Sequence, residues 1–387
     1  MPCPAPLASR TAAGAFALGV ALTGCGDADD AQRRSIALAE CRLPKLATPA
    51  QCGELVVPEN RERPDGRKIT IAVAVLPANT LTPKPDPLFI LAGGPGQAAS
   101  HLGPFAALLS LVRKDRDLVL VDQRGTGRST PLTCAAFKPD ESPEAAIELD
   151  PVPKAAACAQ ELASQGVDAA QYTTAAWIAD LDAVRAGLGY ARINLWGGSY
   201  GTRAALEYLR RHPDRVRSVV LDGVAPPAMK VSLDVWPTRD AALSAVLDAC
   251  AKSPACNAAH PDLATTLAGI RDRLGPAGRE VAITDPRTGE RRMLKLSFEH
   301  VVGALQPLVY LPELASLIPE IVGRAAAGDF DPLYAAAVLV TGDFAEQMNT
   351  ALHYSVTCAE DVPRVTPADA AAARPITSGR SAACSGA

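Results

Sequence analysis

The chain has 387 residues, of which 48% are hydrophobic and 21% charged, with a formal net charge of −4. This size and apolar content allow one large domain or two with ample core. The nearly balanced charge removes any electrostatic case for a nucleic-acid partner.

The N-terminus reads as a targeting segment. Arg10 precedes an apolar run, Ala12 to Leu22, that is too short for a permanent bilayer anchor. The run ends in Leu22-Thr23-Gly24-Cys25, which resembles a bacterial lipobox and implies lipid attachment at Cys25. Residues 1–25 are therefore expected to be a signal peptide and 26–50 a linker. The mature chain would be exported to the cell envelope and held at the membrane by the N-terminal lipid. Setting aside Cys3 and Cys25, the remaining cysteines suggest local pairs: Cys41 with Cys52, Cys134 with Cys158, Cys250 with Cys256. Cys358 and Cys384 are left over. An even count in an oxidising compartment favours disulfides. No cysteine–histidine cluster has zinc spacing, and no metal or cofactor is expected.

Gly53 to Pro58 and Ile69 to Leu76 read as antiparallel strands across a polar turn. Pro87 to Ala92 is a continuous apolar run, the mark of a strand buried on both faces. It leads through Gly93-Gly94-Pro95-Gly96 into a helix predicted to reach Arg113. Asp117 to Asp122 is another buried strand. Pro131 to Gln165 reads as an irregular, cysteine-bearing excursion. Thr173 or Thr174 caps a helix whose apolar positions Ile178, Leu181, Val184 and Leu188 step by three and four, with Gly189 as its stop.

A strand over Arg192–Trp196 then enters Gly197-Gly198-Ser199-Tyr200-Gly201, and a helix follows to Arg211. A serine on such a strand-to-helix turn is held in a strained conformation with its hydroxyl exposed. Gly197 and Gly201 are required because a Cβ there would strike the neighbouring strand and helix. Val216 to Leu221 is the next strand. Strands alternating with helices predict an α/β fold, a mostly parallel sheet with helices on both faces. After Pro227 the pattern turns helical: Pro237–Ala251, Asp262–Leu274, Phe298–Leu308, Leu311–Ala327, Tyr334–Val340 and Asp343–Val356. One hairpin, Glu280–Thr284 against Arg291–Ser297, interrupts it. This stretch is expected to cap the sheet.

Three motifs in this order are specific together. Leu91-Ala92-Gly93-Gly94-Pro95-Gly96 resembles an HGGPG loop with alanine in place of histidine. Asp122 to Ser129 resembles a DQRGTGRS signature, and Gly197 to Gly201 a GGSYG elbow. From about Cys41 to Pro363 the chain resembles α/β-hydrolases of the proline-iminopeptidase and tripeptidyl-aminopeptidase branch. The resemblance implies an α/β-hydrolase core over 51–227, a helical cap over 228–357 and a tail over 358–387. It implies a serine hydrolase, an aminopeptidase acting on peptides, with an esterase or lipase on small esters as the alternative.

Ser199 would be the catalytic nucleophile, and the N–H groups of Tyr200 and Gly94 the oxyanion hole, with Gly93 the next choice. Asp122 and Arg124 are expected to form an ion pair bracing their loop, and Asp222 to be structural. Glu360 and Asp361 are candidates for a substrate amine. Relatives of this branch carry an Asp and a His on two further strand–helix units. Neither unit is visible after Pro363, so the chain is expected to be truncated, to leave the strand Val216–Leu221 with an exposed edge, and to be inactive as it stands. A lipid-anchored, non-catalytic protein on the same fold is the remaining alternative. The other arrangement weighed is a triad of Ser199, His353 and Asp222.

Overall fold

The computed structural model describes residues 35–138, 142, 144–148 and 151–372. The leader, the expected lipid site Cys25, and Cys384 lie outside the described residues.

Seven strands form one sheet: β1 (Ala39–Cys41), β2 (Ala50–Pro58), β3 (Lys68–Leu76), β4 (Leu88–Leu91), β5 (Leu118–Val121), β6 (Ile193–Gly198) and β7 (Val216–Asp222), in the order β1-β2-β3-β5-β4-β6-β7. The first three run antiparallel as a meander, and β3 meets β5 antiparallel. From β5 through β4 and β6 to β7 the pairing is parallel. The apolar run of β4 explains its central place. Phe89 and Leu91 join one core with Val119, Val121 and Leu195, while Leu88 and Ile90 join a second core on the opposite face. A strand apolar at every position can only sit between two layers.

Helix α1 (Gly103–Leu108), α2 (Ser110–Arg113), α3 (Val152–Ser164), α4 (Thr174–Gly187) and α5 (Tyr200–Arg211) belong to this half. α4 buries Trp177, Ile178, Leu181 and Val184 against the first core, and the Thr173 hydroxyl caps it by accepting from Ala176 N–H. Two expectations are corrected here. The helix expected after the glycine loop is broken into a 3-10 turn, Ala99–Leu102, and the short α1 and α2, because Leu109 between them leaves helical geometry (ψ 38°). The excursion is not irregular throughout: α3 buries Ala155, Cys158 and Leu162, which are three and four residues apart and make one helical stripe. Its small alanines hid that stripe.

The cap contains α6 (Val231–Lys252), α7 (Pro254–Ala259), α8 (Leu263–Leu274), the hairpin β8 (Arg279–Thr284) and β9 (Arg291–Leu296), α9 (Phe298–Leu305), α10 (Pro312–Ala315), α11 (Ile318–Ala326) and α12 (Asp331–Gln347). A separate core from Leu243 to Ala337 holds it together. α6 begins six residues before the expected Pro237. The carboxylate of Asp361, far along the chain, accepts Val231 N–H at 2.9 Å and caps the helix from outside it. The last expected helix is also displaced. Asn349 breaks it and caps α13 (Thr350–Glu360) by accepting Leu352 N–H at 2.8 Å. α13 then packs Leu352 and Val356 against Tyr172 and Tyr200, on the sheet side.

Three of the expected disulfides are present: Cys41–Cys52, Cys134–Cys158 and Cys250–Cys256. They fit an oxidising compartment. Among the described residues no helix is long and apolar enough to cross a membrane.

Candidate active site

Ser199 sits between β6 and α5 with φ 54° and ψ −121°, a backbone conformation that non-glycine residues rarely adopt. The turn is forced by contacts on both sides. A Cβ on Gly197 would lie 2.3 Å from the Gly201 carbonyl oxygen, and one on Gly201 would lie 2.2 Å from that of Leu91. Ser199 N–H donates to the Asp222 carbonyl at 2.8 Å, and the Thr202 hydroxyl donates back to the Ser199 carbonyl at 2.6 Å. The backbone is therefore pinned while the side chain is exposed at the N-terminus of α5. There the helix favours developing negative charge. Tyr200 is the first helical residue, so its N–H has no intrahelical acceptor.

The glycine loop faces this serine. A Cβ on Gly93 would stand 3.3 Å from the Ser199 Cβ. Gly94 and Gly96 both have positive φ, 111° and 120°; a Cβ on Gly94 would strike the Met348 side chain, and one on Gly96 the Asn349 carbonyl. The segment after the cap thus closes over the loop. Asn349 N–H donates to Gly96 carbonyl at 2.8 Å, Gln97 pairs with Met348 as an isolated bridge, and His353 Nδ1 lies 3.2 Å from the Pro95 carbonyl. Burial lowers the His353 pKa, against the Pro95 carbonyl contact and the Asp361 charge, which both favour the protonated ring.

Below the elbow the structure brings together several singled-out residues. The Tyr200 hydroxyl is 2.7 Å from Thr174 Oγ1, and Thr174 gives its N–H and hydroxyl to Glu360 at 2.6 and 2.8 Å. Burial raises the Glu360 pKa. Asp361 is fully buried and accepts from Arg203 (2.8 Å), Arg364 (2.7 Å) and Val231 N–H. Both carboxylates brace helix starts, Glu360 at α4 and Asp361 at α6, and Glu360 remains partly accessible. Sequence reasoning did not find this cluster, because its members are separated by up to 186 residues.

The expected Asp122–Arg124 pair is corrected. Arg124 makes a two-pronged contact with Asp180, at 2.6 and 2.9 Å, and donates to the carbonyls of Glu59 and Gln171. Asp122 instead accepts from Ser100 N–H and hydroxyl and from Arg128 N–H. The two side chains of this motif tie different loops.

Three of the described histidines are engaged elsewhere, while His101 Nδ1 is buried without a hydrogen-bond partner. His212 packs on Tyr208 at the end of α5, His300 Nδ1 is 2.9 Å from the Ser297 hydroxyl, and His260 approaches Glu320 at 3.7 Å. Among the described residues no side chain hydrogen-bonds the Ser199 hydroxyl, and no group of His, Cys, Asp and Glu could hold a metal.

A strained, exposed serine between a parallel strand and a helix, faced by a glycine loop from the neighbouring strand, defines the class of serine-elbow α/β proteins. A family model described as the alpha/beta hydrolase fold matches residues 86–295, more than half of the chain. The chain belongs to the alpha/beta hydrolase family. Among curated proteins it is similar to the serine protease Hip1 of Mycobacterium tuberculosis, 33% identical over 196 residues, which cover 47% of this chain and 37% of that protein. It is similar to the tripeptidyl aminopeptidase of Streptomyces lividans, 33% identical over 207 residues, covering 49% and 37%. With the proline iminopeptidase of Neisseria meningitidis it shares 30% identity over 138 residues, covering 36% and 32%. The match thus spans about a third of the length of these relatives. The solved proline iminopeptidase of Mycobacterium smegmatis overlays with a TM-score of 0.33 and 22% identity, covering 57% of this chain and 60% of that one.

Proposed function

We propose that the chain is an exported serine hydrolase of the aminopeptidase type, working through an acyl-enzyme on Ser199. The observation that carries this reading is the Ser199 backbone, φ 54° with an exposed side chain at a helix N-terminus. In the reaction, Ser199 Oγ bonds to the scissile carbonyl carbon and the amine leaves with a proton. Water then displaces the serine and releases the acid. The N–H groups of Tyr200 and Gly94 would hold the oxyanion. The named peptidase relatives support a peptide substrate. The lipobox-like Leu22–Cys25 and the disulfides support export and a lipid-held place in the cell envelope.

The bare Ser199 hydroxyl favours a second reading, a non-catalytic protein on this fold. Without a base held to it a serine is a poor nucleophile, and loss of a triad base lowers turnover by on the order of 10⁶. A fluorophosphonate probe followed by intact-protein mass spectrometry separates the two. A slow adduct on Ser199, absent from S199A, is expected. No Ser199 adduct after long incubation would overturn the hydrolase reading. Parallel assays on tripeptidyl naphthylamides and nitrophenyl esters test substrate class, and Ser199-dependent turnover confined to esters would replace the peptidase by an esterase.

A further inference from the structure

The loop Gly93–Gln97 makes little structure of its own. Its internal bonds are Gln97 N–H to the Gly93 carbonyl at 3.3 Å and Gly93 N–H to the Gln97 side chain at 3.4 Å. Two of its residues have positive φ, so the chain is free to take other shapes. Its conformation is therefore imposed from outside, by the segment Met348–His353. Backbone contacts hold Gly96 and Gln97. The carbonyl of Pro95, the residue directly after Gly94, is met by the His353 ring. His353 lies one helical turn beyond Asn349 and donates its backbone N–H to the Asn349 carbonyl at 3.0 Å. Ring and N-cap backbone thus reach the loop from one face of α13.

We infer that His353 is a positioning residue that clasps the Pro95 carbonyl and sets the glycine loop opposite Ser199. This rests on reading that loop as the oxyanion loop. A carbonyl oxygen can only accept, so Nδ1 must carry the proton, and the neutral ring is locked in one tautomer. Desolvation of the half-buried ring lowers its pKa and so favours the neutral form. His353 therefore acts through the backbone of the loop and is not a base that shares Nδ1 with the serine. Through α13 the clasp also joins the loop to the Glu360–Thr174–Tyr200 contacts beneath the elbow. Both sides of the oxyanion site are then held by one helix.

The test uses the full chain and two variants. Imidazole ¹⁵N NMR of the wild type should show His353 as the neutral Nδ1–H tautomer. H353F removes the donor and should speed amide hydrogen exchange of peptides covering residues 92–98 by several-fold to about tenfold, the scale of one lost hydrogen bond. H353N places an amide N–H near the Nδ1 position and should restore exchange close to the wild type. Peptides from β3 and from the cap should not change in either variant. An Nε2–H tautomer, unchanged exchange in H353F, or equal acceleration in H353F and H353N would each overturn the assignment. If H353F fails to fold, the wild-type tautomer and the H353N exchange decide. Fluorophosphonate labelling of the same samples separates the two readings: a protected loop with no Ser199 adduct sinks the hydrolase reading and leaves the clasp standing.

Discussion

Arg124 shows how a single motif residue can be legible as important and illegible in its role. Its sequence neighbour Asp122 was the obvious partner, yet the guanidinium is wholly buried on Asp180, 56 residues away, with two backbone carbonyls accepting from its Nη1. Arg61 adds a second contact to Asp180 at 2.6 Å. A buried fork with every arm occupied fixes the loops around Glu59 and Gln171 against the strand end after β5. The pattern Asp-Gln-Arg-Gly tells that a charge is needed there, but not which carboxylate arrives through space. Ser199 is the opposite case, because its strand, two glycines and helix are all local and could be read directly. R124A should destabilise the protein by about 3–5 kcal/mol, the cost of leaving one buried partner uncompensated. Urea unfolding of R124A against the wild type measures it, and a loss below about 1 kcal/mol would show that Asp180 is satisfied by Arg61 alone.

At the scale of elements, the local signals placed β2, β3, β4, β6, α4 and the cap hairpin, since alternation, apolar runs and caps lie within a few residues. The misplaced boundaries have distant causes. α6 starts early because Asp361 caps it across the fold, and α3 was missed because its buried stripe is made of alanines and a cysteine. The junction of α4 with α5 is another tertiary feature with no local signature. Asp182 of α4 accepts from Arg185, from Tyr208 of α5, and from Arg215 in the turn before β7. Burial opposes its charge, but these donors outweigh burial and hold its pKa at about 2. A folded pKa below the unfolded value means that the bond contributes stability above the unfolded pKa and loses it as pH falls through the folded one. D182N should therefore cost about 1–2 kcal/mol at pH 7. The difference from the wild type should fade between about pH 4 and pH 2. Chemical unfolding across that range checks the sign, and a penalty that persists unchanged at pH 2 would mean that packing rather than charge is lost.

The described molecule contains a sheet layered between helices, a cap with its own core, and a helix after the cap, α13, that returns to the sheet and touches both the glycine loop and the helix that follows Ser199. That return explains why residues far apart in the sequence converge on Ser199. Along the other direction β7 is an edge strand among the described strands. Arg217, Ser218, Val220 and Asp222 are exposed along it. Val220 is 52% exposed although it lies beside half-buried Trp196 in the parallel register. An unpaired strand edge with an apolar residue at its centre offers backbone donors and acceptors to any other strand. The exposed end of β7 also adjoins Asp222, whose carbonyl holds Ser199 N–H, so pairing there would reach the elbow. The chain should self-associate with rising concentration. V220K, which places a charge on the open strand without touching the elbow contacts, should weaken that association at least several-fold. Sedimentation velocity over a concentration series reads the difference. Equal association of V220K and wild type would show that another surface, such as the exposed Leu108 and Leu111 beside α2, drives it.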